Sequence, residues 1–267
     1  MAEGPYLRFV ALGDSQTEGL NDGDDRTGYR GWADRFADLL AAADPRVRYA
    51  NLAVRGKLAA QIHAEQLRPA LALEPDLVSV MAGMNDVVRP GFDIDAVVGH
   101  LDAMYEALSA SGARVVTFTF PDIARIAPLF RRMRPRQMEF NARIRAAAKR
   151  HNVLVIDTFD VPVTTDARLW SHDRIHATPL GHTRIAAAVA EALALPGSSN
   201  AWTDPLPPLP PVPTWRRATT ELTWAGTFLA PWAWRRLRGR SSADGRTAKR
   251  PDLTPVVSAQ EAPEGAP

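Results

Sequence analysis

The 267-residue chain contains no cysteine. That excludes disulfide staples, thiolate nucleophiles and zinc sites built on sulfur. Long apolar runs are missing too. The charge-free stretch Leu222–Trp234 is the longest in the C-terminal part. It falls short of the roughly 20 residues a bilayer requires, and Pro231 interrupts it. The opening Met1-Ala2-Glu3-Gly4-Pro5 lacks the basic and apolar regions of a secretory signal. The expectation is therefore a cytoplasmic protein without a membrane span. Four catalytic or cofactor signatures are also absent. There is no Gly-x-Ser-x-Gly elbow, phosphate loop, dinucleotide fingerprint or His-Glu-x-x-His helix.

What is present is the composition of a globular protein, with 46% hydrophobic and 23% charged residues. At about 150 residues per domain, the length fits one to two domains. Net charge is only +2, but it is unevenly spread. Residues 215–251 hold nine Lys or Arg (Arg216, Arg217, Arg235, Arg236, Arg238, Arg240, Arg246, Lys249, Arg250) against Glu221 and Asp244.

Up to about Ala194, short apolar runs alternate with helical patterns. The runs are Leu7–Leu12, Val47–Leu52, Leu77–Ala82, Val115–Phe120 and Val153–Asp157. Trp32, Phe36, Leu39 and Leu40 predict one helix face. Ile94, Val97, Val98, Leu101, Tyr105 and Leu108 predict a second, capped by Asp93, and Phe140, Ile144 and Ala148 a third. Strand–helix alternation with runs apolar on both sides of the pleat predicts an α/β fold, a five-stranded parallel sheet covered on both faces. The predicted organisation is a catalytic domain over 1–198 and a stiff Pro-rich connector over 199–214. A Trp- and Arg-rich extension over 215–267 follows, ending in a disordered tail. Trp224, Phe228 and Trp232 share one helical face and are expected to pack back onto the domain.

In such sheets ligands bind beyond the carboxyl ends of the strands. Gly13-Asp14-Ser15 follows the first strand, Gly56 the second and Gly83-Met84-Asn85-Asp86 the third. Asp173-Arg174-Ile175-His176 precedes the last helix. A serine hydroxyl needs a base to become a nucleophile, and neutral imidazole suits that task. The imidazole needs an acceptor on its other nitrogen, and Asp173 stands three residues before His176. An oxyanion needs fixed donors, which the amides of Ser15 and Gly56 and the side chain of Asn85 can supply.

These four blocks, in this order, resemble those of the SGNH, or GDSL-type, hydrolases over about residues 5–195. The resemblance implies a three-layer α/β/α, flavodoxin-like fold and ester, thioester or sugar O-acetyl hydrolysis without metal or cofactor. It implies Ser15 as nucleophile, His176 as base and Asp173 as its orienter, with Ser15, Gly56 and Asn85 as the oxyanion hole. Gln16 stands where the signature has leucine, a departure read as substrate tuning. The expected partner is a small-molecule ester, short-chain or of lysophospholipid type, with deacetylation of a carbohydrate or secondary metabolite as the alternative.

Other readings weigh less. His172 and His176 are four apart, but no third metal ligand stands nearby. Asp14, Glu18 and Asp86 invite a paired-carboxylate mechanism, yet shaping the loops around the site is the better use of Asp14 and Asp86. His182 is expected to pack or cap, and His63, His100 and His151 to lie on the surface. The basic aromatic tail keeps open an anionic surface and a scaffold role, with nucleic acid the lesser reading.

Overall fold

Runs that are apolar on both faces of the pleat become strands, and the elements between them become the layers that cover those faces. The computed structural model describes residues 6–210, 213–231, 234 and 242–256, excepting the side chains of 214–218 and 229. Expectations resting on the side chains of Trp215, Arg216 and Arg217, on Trp232, on the arginines from 235 to 240 and on the tail after residue 256 lie outside the described residues.

The order is β1 (Arg8–Gly13), α1 (Ser15–Glu18), the short pair β2 (Gly23–Asp24) and β3 (Gly28–Tyr29), α2 (Trp32–Ala43), β4 (Arg48–Asn51), α3 (Ala59–Ala72) and β5 (Leu77–Met81). Then come α4 (Met84–Val87), α5 (Ile94–Ala110), β6 (Arg114–Phe118), α6 (Ile123–Ile126), α7 (Arg134–Arg150), β7 (Leu154–Ile156), α8 (Pro179–Ala192), α9 (Thr214–Trp224) and β8 (Arg250–Pro255). The main sheet has the order β7-β6-β5-β1-β4-β8. Strands β1, β4, β5, β6 and β7 are parallel, with Phe9 flanked by Tyr49 and Leu77.

Helices α3, α5 and α7 cover one face of the sheet, and α2 and α8 the other. Asp93 caps α5 as its position predicts, accepting from the Ala96 N–H at 3.1 Å. Leu39 departs from the predicted stripe of α2 and is 45% exposed. Helix α3 carries Pro69 and a weak apolar pattern, so its packing on α5 is a property of the assembled layer. Among the described residues, no helix is long and apolar enough to cross a membrane.

The sheet has six strands where the sequence reading has five. The sixth, β8, comes from the C-terminal extension and runs antiparallel to β4, with Tyr49 opposite Thr254. Pro251 and Pro255 hide it from a strand pattern, and a sheet edge is where prolines are tolerated. Its pairing covers the otherwise open edge of β4. Lys249 ties the segment down further, donating to the Tyr29 carbonyl at 2.7 Å and to Asp34 at 2.6 Å.

Crossing from β4 back over β1 to β5 makes the topological switch that opens a crevice at the carboxyl end of β1. One side chain locks the α2–α8 layer beside it. His182 is fully buried, and its Nδ1 accepts the Trp32 N–H at 3.1 Å, satisfying one orphan donor of α2. Burial pushes its pKa down to about 3, helped by the charge of Arg35. The unfolded chain therefore takes up a proton here, at an ordinary imidazole value near 6.5, before the folded protein does. Stability drains as pH falls. Relative to His182→Gln, the native protein should lose about 1.4 kcal/mol per pH unit between roughly pH 6 and 4. Parallel pH–stability curves for the two proteins in denaturant titrations would contradict this account.

Candidate active site

Ser15 opens α1 immediately after β1, so its hydroxyl stands at the carboxyl end of a central strand. Gly13 makes the turn possible, because a Cβ there would stand 2.6 Å from Thr17 Oγ1 and 2.7 Å from the Met81 carbonyl. The buried Gln66 brackets that glycine. Its Oε1 accepts the Gly13 N–H and its Nε2 donates to the Gly13 carbonyl, both at 2.9 Å. Asp14 caps α1, and its Oδ1 accepts the Gln16 N–H at 3.3 Å.

Residues 161 positions apart now meet. Ser15 Oγ lies 2.7 Å from His176 Nε2, and His176 Nδ1 lies 2.7 Å from Asp173 Oδ2. The Asp173 carboxylate also accepts Asn21 Nδ2 at 2.7 Å, Ser171 Oγ at 2.8 Å and the N–H groups of Ile175 and His176 at 3.0 Å. Arg174 adopts a left-handed conformation (φ 57°) within this turn. Burial alone would raise the Asp173 pKa. The hydrogen bond and charge of His176 and the two backbone donors outweigh it and hold the carboxyl well below the usual carboxylate range. An ionised acceptor thus fixes one imidazole nitrogen while the other faces the serine hydroxyl.

The loops after β4 and β5 complete the ring. Gly56 is buried in a left-handed conformation (φ 77°) and lines the cleft beside Ser15 and Asn85. Asn85 Nδ2 donates to Asp14 Oδ2 at 2.9 Å and to the Lys57 carbonyl at 3.1 Å, so the amide joins three loops. Asp86 accepts the Ala59 N–H at 3.1 Å and pins the β5 loop to α3. Burial raises the pKa of both supporting acids, that of Asp14 to about 6. Burial of Asp14 is offset in part by the Gln16 N–H and by the charge of His176.

Glu18 has a different partner. Its carboxylate accepts the Arg55 Nε at 2.9 Å, Nη2 at 2.6 Å and backbone N–H at 2.6 Å. Both side chains are buried. The pair clamps the residue before Gly56 onto the helix that carries Ser15. Glu18, Asp14 and Asp86 are thus each committed to a loop contact, which favours the loop-shaping use over the glycosidase reading.

Gln16, the departure from the leucine signature, accepts the Ala177 N–H at 3.0 Å, next to His176. It also lines the cleft. That cleft has about 230 Å³ of space and an apolar side made by Met84, Val88, Phe120, Ile123, Ile126 and Phe130. A smaller apolar cavity of about 70 Å³ adjoins it behind Gln16, Phe120, Pro121 and Trp170. Among the described residues, no group of three or more His, Asp or Glu is placed to hold a metal ion. His172 stands edge-on to Phe228, while His63 and His100 pair at 3.0 Å and His151 meets Asp102 at 2.8 Å, half-buried between helices rather than free on the surface.

The structure therefore brings together all seven residues expected at the site: Asp14, Ser15, Gly56, Asn85, Asp86, Asp173 and His176. Sequence reasoning missed Asn21, Arg55, Gln66, Ser171 and Phe228. Ser171 alone carried a local signal, a hydroxyl two residues before Asp173.

A model of the GDSL-like lipase/acylhydrolase family matches residues 11–184. No curated protein sequence matches the chain. Among solved structures it is similar to LAE5, an alpha/beta hydrolase enzyme from the metagenome of Lake Arreo, Spain. The two share 24% identity over 73% of this chain and 97% of that one, with a TM-score of 0.59. It is also similar to Axe2, an acetylxylan esterase from Geobacillus stearothermophilus, at 21% identity over 75% of this chain and all of that one (100%), with a TM-score of 0.63. At these identities the likeness is one of fold.

Removing one partner of a buried ion pair leaves an uncompensated charge. Glu18→Gln should therefore cost about 3–5 kcal/mol of stability in denaturant unfolding. Replacing Glu18 and Arg55 together by leucine should recover much of that loss. Additive losses in the double variant would show that the two side chains do not act as a pair.

Proposed function

Because the chain belongs to the GDSL-like lipase/acylhydrolase family, we propose that it hydrolyses carboxylic esters by two-step acyl transfer through Ser15. The observation that carries this reading is the unbroken chain from Ser15 Oγ through His176 to Asp173, with 2.7 Å at each link. As Ser15 attacks the ester carbonyl, its proton passes to His176 Nε2, and ionised Asp173 steadies the imidazolium. The carbonyl oxygen becomes an oxyanion facing the amides of Ser15 and Gly56 and the Asn85 side chain. His176 then returns the proton to the leaving alcohol. In the second half, water gives its proton to His176 as it attacks the acyl-enzyme. His176 passes that proton to Ser15 Oγ as the acyl–oxygen bond breaks and the acid leaves.

Asn85 has a cost to meet in this scheme. Both of its amide hydrogens are directed at acceptors, Asp14 and the Lys57 carbonyl. One of those bonds must be shared with or exchanged for the oxyanion. Near pH 6 Asp14 takes up a proton and ceases to be an ionised acceptor for this amide. Asp14 and Asp86 act in this reading as supports of the loops, and the chemistry calls for no cofactor. Short-chain acyl or lysophospholipid-type esters are the favoured substrates, because the cleft beside Ser15 is lined mainly by apolar side chains. A sugar O-acetyl group is the second reading, supported by the fold shared with an acetylxylan esterase.

Steady-state kinetics on p-nitrophenyl esters tests the assignment. Ser15→Ala or His176→Ala should lower kcat by about 10⁴–10⁶. Asn85→Ala should lower it by roughly 10²–10³. Near-normal turnover by a folded Ser15→Ala protein would refute the mechanism.

A further inference from the structure

The family match ends at residue 184, yet Phe228 and Ser242 from the segment beyond it line the same cleft as Ser15 and His176. We propose that the C-terminal helical segment, residues 214–231, is a wall of the substrate site, and that Phe228 on it selects esters with an apolar chain. This deepens the Ser15 esterase reading and rests on it.

The wall is anchored to the machinery itself. Arg174, between Asp173 and His176, donates to both carboxylate oxygens of Glu221 at 2.7 and 2.8 Å. Its guanidinium stands 4.7 Å from the centroid of the Trp224 ring. Trp224 is only 5% exposed, and its ring meets Phe130 edge-on at 6.0 Å and lies nearly parallel to Phe228 at 6.0 Å. Phe228 in turn stands edge-on to His172 at 6.5 Å, on the loop that carries the base. A π-helical turn over Ala225–Leu229 contains Phe228, and such bulges recur at functional sites. Further along the chain, Arg246 reaches Asp25 at 3.0 Å and β8 joins the sheet, so the chain after the wall is also tied to the domain.

The chemistry of the wall argues for the ligand class. Arg174, the cation nearest the base in sequence, has its charge balanced by Glu221, which weakens its pull on an anionic substrate. What the wall adds is an aromatic ring packed on the cluster of Ile123, Phe130 and Trp224 and lining the same cleft. Each methylene fully buried there favours binding by roughly fourfold.

The test uses the full-length protein and two ester series. One varies the acyl chain (p-nitrophenyl acetate, butyrate, octanoate) and the other the alcohol (methyl, butyl, octyl acetate). Labelling of Ser15 by a small fluorophosphonate reports the machinery separately. Phe228→Ala should lower the long-to-short ratio of kcat/KM by about tenfold in one series, and that series identifies whether the wall meets acyl or alcohol. Phe228→Leu should keep most of the ratio, and Glu221→Gln should lower it in the same direction. Unchanged ratios in both series, in variants that still label at Ser15, would overturn the wall while leaving the esterase reading intact. Failure of the native protein to label or to turn over any ester would overturn both.

Discussion

Two opposite charges buried together, Glu18 and Arg55, set the spacing on which the site depends. Helix α1 is only one turn long and cannot fix its own orientation, and the loop after β4 has no regular structure to hold it. The carboxylate of the first accepts both the guanidinium and a backbone N–H of the second, so the distance from Ser15 to Gly56 is set by three charge-assisted hydrogen bonds. In a dry setting such bonds are strong and unforgiving, because a half-broken pair leaves a bare charge. Gln66 does the same for the backbone of Gly13 with neutral groups, and Asn51 does it for the Thr17 carbonyl at 2.8 Å.

On that frame the reactive groups are arranged by opposing electrostatics. Asp173 is buried but surrounded by donors, and it stays ionised; Asp14 is buried with fewer donors, and its pKa rises to about 6. Two carboxylates within one site thus differ in protonation behaviour because of what surrounds them. One is suited to hold an imidazolium. The other changes charge near pH 6 while it holds Asn85.

Much of this was legible in the chain, and the rest was hidden for physical reasons. The five parallel strands were visible because their residues are apolar on both faces, and the α5 stripe because its cap and period agree. Ser15, Gly56 and Asn85 were visible because each lies in the loop region after a strand, and Asp173 and His176 because they stand three apart just before the last helix of the catalytic domain. Leu39, α3 and β8 were harder. Leu39 sits at the margin of its stripe, Pro69 and polar neighbours blur α3, and prolines disguise an edge strand whose partner is about 200 residues away (Tyr49 opposite Thr254). Arg55, Gln66 and Asn21 act only through partners distant in sequence, so no local pattern marks them. The five-strand expectation gave way to six because the C-terminal segment returns to the sheet, and the helical stretch before that return carries Phe228 at the cleft.

The central claim is a covalent one, that an acyl group resides on Ser15 during turnover. Rapid acid quenching of the protein mixed with p-nitrophenyl butyrate, followed by peptide mass spectrometry, reads it directly. The account predicts a butyryl adduct on the peptide containing Gly13-Asp14-Ser15, localised to Ser15, lost as substrate is exhausted and absent from Ser15→Ala. An adduct on a residue other than Ser15, or hydrolysis at full rate by Ser15→Ala, would contradict it.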